Sequence, residues 1–175
     1  MGFATLTPHP DFRCEAVSGI EVEVARTAAT LSLAYRISGA IGGLAVPDLV
    51  PATRADELWR HTCLEAFVRP DPGDAYAEFN FAPSTQWAAY GFSGYREGMS
   101  TLDLAAPRID VRATDNELIL RAAFDLPPGP CRLALTAVIE TTGGARSYWA
   151  LAHPPGRPDF HHAAGFILRL PAEHA

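Results

Sequence analysis

DELWRHTCLEAFVRPDPGDAYAEFNF, residues 56–81, consists of two apolar-rich segments, Leu58 to Val68 and Tyr76 to Ala82, around the turn-forming run Pro70-Asp71-Pro72-Gly73-Asp74. Side chains alternate across a strand, so a strand through the first segment puts Trp59, His61, Cys63, Glu65 and Phe67 on one face. Arg60, Thr62, Leu64, Ala66 and Val68 take the other. In the second segment Tyr76, Glu78, Asn80 and Ala82 oppose Ala77, Phe79 and Phe81. Paired as a hairpin, the two strands carry a tryptophan, a histidine, a cysteine and carboxylates among apolar neighbours. A plain core strand does not need that mixture, and a binding face does.

Working outward, Ile20 to Arg26 and Thr30 to Ile37 alternate with period two and predict a second hairpin. Residues 1–18 read as an irregular entry or one edge strand, and Gly39 to Ala55 as a long loop; Ala52 to Trp59 could form a single helical turn. Gln86 to Phe92, Ile109 to Ala113, Leu118 to Phe124, Cys131 to Glu140, Arg146 to Leu151 and Phe166 to Leu170 are further strands. Breaks such as Pro127-Pro128-Gly129-Pro130 and the turn Thr142-Gly143-Gly144 separate them. Nine or ten short strands at this spacing, with no sustained helical period, predict an all-β fold: one antiparallel β-sandwich of jelly-roll type spanning residues 1–175.

Composition narrows the function. The chain has 175 residues, 48% of them hydrophobic, which is enough for a self-sufficient core. All fourteen basic residues are scattered arginines and the net charge is −6, so neither phosphate-driven nucleic-acid binding nor adhesion to an anionic membrane is expected. Three dispersed cysteines, Cys14, Cys63 and Cys131, argue against a disulfide framework. No signal-peptide pattern opens the chain and no apolar run nears the ~20 residues that span a bilayer. A cytoplasmic protein is the expectation.

LWRHTCLEAFVRP, YAEFNFAPSTQWAAYGFSGYREGM and SYWALAHPPGRPDFHHAAGFILRL together resemble the DOMON-like ligand-binding superfamily, from about Ile20 onward. That superfamily includes family-nine carbohydrate-binding modules and DOMON haem domains, and the nearest resemblance is to a bacterial group sometimes fused to MurB-type reductases. It implies a β-sandwich with a ligand site on one face or at a rim, and no catalysis. In the carbohydrate-binding modules a tryptophan and a glutamate six residues later share a strand and contact the sugar, as Trp59 and Glu65 would here. A second tryptophan completes the clamp, for which Trp149 is the first match and Trp87 the second.

The expected ligand is therefore small and polar, with a saccharide or cell-wall precursor among the candidates. Trp59 and Trp149 supply stacking surfaces, flanked by Trp87, while Glu65 and Asn80 bond to hydroxyls and His153 and His162 rim the mouth. Glu78 and Tyr148 belong to the same aromatic and carboxylate set. Other readings compete for these residues. Glu65 and Glu78 could act as the acid and base of a hydrolase, and His61 with Cys63 has spacing compatible with Zn²⁺, with imidazoles of the 152–164 loop such as His153, His161 and His162 to supply the rest. His161 or His162 could be a haem ligand, but only Met1 and Met99 exist as axial partners, so no cofactor is expected. Arg96-Glu97 is either an anion clamp or a surface pair fixing a turn. The chain could also be an interaction module for a protein partner.

Overall fold

The computed structural model describes residues 2–27 and 29–172. Twelve strands follow the chain: β1 (Gly2–Pro8), β2 (Val17–Arg26), β3 (Thr30–Gly39), β4 (Cys63–Pro70), β5 (Tyr76–Phe81) and β6 (Trp87–Phe92). Then come β7 (Ser100–Thr101), β8 (Arg108–Ala113), β9 (Glu117–Asp125), β10 (Cys131–Glu140), β11 (Arg146–Ala150) and β12 (Leu168–Leu170). Three single-turn 3₁₀ helices are the only helices among the described residues, and no helix there is long and apolar enough to cross a membrane.

All strand neighbours are antiparallel, in the order β7-β6-β5-β4-β10-β11-β1-β2-β3-β9-β8, with β12 beside the start of β10. The path folds back on itself at β1. Gly2 to Leu6 pair with β2, whereas Thr7 and Pro8 pair with Ala150 and Trp149 of β11. The N-terminal segment is therefore not an edge strand but the link between two sheets. Its side chains hid this: only Leu6 is buried, and Phe3 lies almost fully in solvent. Ladder hydrogen bonds hold this strand, so apolar patterning could not reveal it.

Period-two alternation puts Ile20, Val22 and Val24 of β2, Leu31, Leu33, Tyr35 and Ile37 of β3, and Leu118, Leu120 and Phe124 of β9 on the inner face of one sheet. Leu64, Ala66 and Val68 of β4, Phe79 and Phe81 of β5, and Leu133, Leu135 and Ile139 of β10 face them from the other. The result is an antiparallel β-sandwich, all-β as its sequence predicts. Phe79 stacks on Phe124 across the interface at 4.1 Å between ring centroids. Tyr35 is fully buried, and its phenol donates across the core to the backbone carbonyl of Glu65 at 2.7 Å.

That bond fixes β4 against the opposite sheet at the residue whose side chain points away from the core. Tyr35→Phe is expected to lower stability by about 1 kcal/mol in chemical denaturation, with the far-ultraviolet circular dichroism unchanged.

Candidate functional site

The outer face of the second sheet carries the unusual residues. Register aligns Glu65 with Asn80 and with Thr136, and Phe67 with Glu78 and with Ala134. Glu78 in turn faces Tyr90 of β6, and Cys63 faces Val138 of β10, which faces Tyr148 of β11. These rows are a buried floor, because loops rise over them. One wall is the loop from Leu151 to Phe166, and another is the chain from Ser93 to Met99. The 3₁₀ turn Leu58–Arg60 closes the third side. Between them lies a cavity of about 680 Å³, within the range that holds small ligands.

Each wall has a physical anchor. Buried His9 donates from Nε2 to the carbonyl of Gly156 at 2.9 Å, and its Nδ1 accepts from the Asp11 backbone N–H at 3.3 Å. His153 bonds from Nε2 to the carbonyl of Thr7 at 2.9 Å. Both imidazoles thus pin the wall to the β1 region. In the second wall Gly98 has φ +62, and a Cβ there would meet Ser93 Oγ at 2.5 Å, so only glycine fits that turn. Arg96 of this wall pairs with Asp159 at 2.8 Å, closing one wall against the other. Its partner is not Glu97, the neighbour that its sequence suggests.

Trp59 is not on a strand. Glu57 adopts the left-handed conformation (φ 59), Leu58–Arg60 form the 3₁₀ turn, and β4 starts only at Cys63. Leu58 packs against the outer-face aromatic cluster, and Asp56 accepts from Tyr90 Oη at 2.7 Å, which holds the turn in place. The indole nevertheless reaches the cavity and stays 45% exposed beside the Arg60 guanidinium. Trp59 and Glu65 therefore line the same hollow by a different local geometry.

The other two tryptophans point inward. Trp149 is 4% exposed in the sandwich core and donates to Ser147 Oγ at 3.0 Å, so alternation brings Tyr148 to the cavity in its place. Trp87, 5% exposed, also faces the core, beneath the Arg54 guanidinium. Asn80 is fully buried behind the floor: its amide donates to Glu78 Oε1 at 2.8 Å and accepts from Cys63 Sγ at 3.7 Å. His153 is a wall anchor. His162 is exposed and accepts from the backbone N–H of Ala164, while its neighbour His161 is the imidazole that lines the cavity. His61 turns out to Glu140 at 2.6 Å, away from buried Cys63. Among the described residues no three His, Cys, Asp or Glu side chains are grouped to hold a metal ion.

At the floor, polar groups are nearly all committed. Thr136 donates to Glu65 Oε2 at 2.9 Å. Tyr76 Oη accepts from the Arg96 backbone N–H at 3.2 Å and shares a hydrogen bond with His161 Nδ1 at 2.8 Å. His161 Nε2 lies 3.8 Å from Glu78 Oε2, too far for a hydrogen bond between them. Burial, then the nearby Glu78 charge, push the Glu65 carboxyl up to about 8 against the Thr136 hydrogen bond. Burial also raises Glu78, against the Asn80 amide and the Arg96 charge. His161 is lowered to about 4, by burial first and by Arg96 second, so it is neutral at pH 7. With Glu65 raised to about 8 and His161 lowered to about 4, the floor can both donate and accept hydrogen bonds.

No family model matches this sequence, and no curated protein does. Among solved structures the chain is similar to a “putative carbohydrate-binding protein” from Bacteroides uniformis, with a TM-score of 0.73 over 99% of this chain and 87% of that one. Identity is 17%. The likeness is one of fold: a β-sandwich common to almost the whole chain.

Proposed function

We propose that this protein holds a saccharide in the outer-face cleft and releases it unchanged. The observation that carries the reading is the lining itself. Exposed Trp59 and half-buried Tyr148 and Phe160 surround a floor where Glu65, Glu78 and His161 present hydrogen-bonding groups. Sugars have apolar C–H faces that pack on rings, and hydroxyls that need both donors and acceptors. Glu65 is 2% exposed, and only its Oε2 has a protein partner. Its Oε1 is the atom left for a ligand hydroxyl. Asn80 acts through Glu78, which it orients, and Trp87 and Trp149 have no ligand role in this reading. The resemblance of the three motif blocks to carbohydrate-binding modules, and the printed name of the Bacteroides protein, point the same way.

Binding without turnover is part of the same proposal: the polar groups of the floor serve as hydrogen-bond partners for hydroxyls, with the Glu65 carboxyl raised to about 8 by burial and by the nearby Glu78 charge.

Fluorescence separates the tryptophans. Saccharide titration is expected to quench the Trp59 emission, while Trp87 and Trp149 give a constant background. Trp59→Ala abolishes the response and weakens binding at least tenfold, with stability within about 0.5 kcal/mol of the parent, as for a surface change. Quenching that persists in Trp59→Ala would place the ligand elsewhere.

The acid group gives a second test. Glu65→Gln is expected to keep binding within a few-fold and to show no loss of hydrolysis, because the parent has none. Hydrolysis by the parent that disappears in this variant would make the protein an enzyme.

Stability against pH is the third. Glu65 has a folded pKa above its unfolded value of 4.5, so its contribution is full below 4.5 and is lost as pH rises toward about 8. His161 has the opposite sign: its contribution is present above 6.5 and is lost as pH falls toward 4. Between pH 6.5 and 8 the histidine gains only the last few tenths of its contribution while Glu65 keeps losing, and denaturation should show a net fall in stability of about 1 kcal/mol. Glu65→Gln should remove most of that slope.

A further inference from the structure

Three of the fourteen arginines, Arg96, Arg146 and Arg157, line the cleft, against two carboxyl groups, Glu65 and Glu78. That excess of cations stands out in a chain whose net charge is −6. Arg96 is held by Asp159. Arg146 and Arg157 are not held: among the described residues neither has a carboxylate within 4 Å. Both guanidinium groups are thus free to pair with something in the cavity that they line.

Their freedom has causes in the fold. Register places Arg146 opposite Glu140, its natural cross-strand partner. Glu140 is instead bonded to His61 Nδ1 at 2.6 Å, on the side of the Leu58–Arg60 turn away from the cleft. Arg157 follows Gly156, the residue whose carbonyl is gripped by buried His9 at 2.9 Å. A buried imidazole spent on holding one loop residue makes sense when the next residue has to be aimed.

We propose that the ligand of this cleft is an anionic saccharide, with its carboxylate or phosphate group paired to Arg146 and Arg157 and its hydroxyls bonded to the Glu65 and Glu78 floor. This rests on the saccharide reading above and adds the charge class. A guanidinium presents a planar fork of donors that matches carboxylate and phosphate oxygens alike. The Glu65 carboxyl, pushed up to about 8 by burial and by the nearby Glu78 charge, repels such a ligand less than an ionised carboxylate would, and its hydroxyl proton is a donor to it. An amino sugar would meet the reverse field.

The test is binding of the full chain to a glycan array of matched neutral, uronic-acid, phosphorylated and amino saccharides, followed by titration of the bound classes at low and high salt. Uronic-acid or phosphorylated glycans are expected to bind at least tenfold more tightly than neutral counterparts, and the preference is expected to shrink as salt screens the pair. Which of the two binds identifies the anion. The double variant Arg146→Ala/Arg157→Ala should lose that preference yet keep the weaker binding of neutral glycans, with an unchanged melting temperature because both side chains are exposed. Neutral or amino glycans bound equally well or better would overturn the charge class and leave the saccharide reading standing. An anionic preference that survives the double variant would overturn the role of these arginines. Binding of no glycan at all would overturn both readings.

Discussion

The antiparallel register between β4 and β5 governs the rest of the molecule. Pairing Glu65 with Asn80 and Phe67 with Glu78 puts Leu64, Ala66, Val68, Phe79 and Phe81 into the sandwich and leaves the polar set on the opposite side. A slip of β5 by one residue would exchange its faces, driving Glu78 and Asn80 between the sheets and exposing Phe79 and Phe81. The apolar side is therefore what locates the polar side. Tyr35 reinforces it by anchoring the Glu65 carbonyl from the far sheet.

Having been placed outward, the polar set is then covered. Phe67, Tyr76, Tyr90, Phe92, Ala134 and Phe166 form a second, smaller apolar cluster on the outer face, with Tyr76 stacked on Phe92 at 4.8 Å. This cluster supports the loops that make the walls, and its existence explains why Glu65 and Glu78 are desolvated although they lie outside the main core. An ionised carboxylate in such surroundings is costly. The protein offsets part of that cost with one hydrogen bond to each group, from Thr136 and Asn80, and leaves the remainder as raised protonation. Two buried acids with no guanidinium within 4 Å are hard to justify by stability alone, which is the ground on which the binding proposal rests.

What could be read in the sequence follows from the same physics. Strands with one face in the core, such as Cys131–Glu140, were legible to their end residues, because period-two patterning reports burial. β1 was not, since its hydrogen bonds rather than its side chains secure it. Face assignment also held within β4 and β5, but failed when extended back to Trp59, where a left-handed Glu57 resets the chain before the strand begins. No apolar period announces such a turn. The inward course of Trp149 is legible by parity. Arg146 and Tyr148 share one parity and Ser147 and Trp149 the other, so the charged residue marks the outward face and the indole lies inward. Residue type does not separate the two rings; parity does. That His161 rather than His162 lines the cleft, together with Arg157, is not legible for another reason: both sit on a loop whose course depends on His9, some 150 residues away in sequence.

That dependence bears on how the cleft keeps its shape. Loops normally carry the mobile part of a binding site. Here the 151–166 wall is tied at Gly156 by His9, at His153 by Thr7 and at Asp159 by Arg96, so three separate bonds to distant chain segments restrain one connection. A wall held this way loses little conformational entropy when a ligand arrives, and more of the contact energy appears as affinity. Under the proposed binding role the arrangement favours a preformed cleft over one that closes around its ligand. It also means that Arg157 and His161 are presented by a frame, not by a free loop.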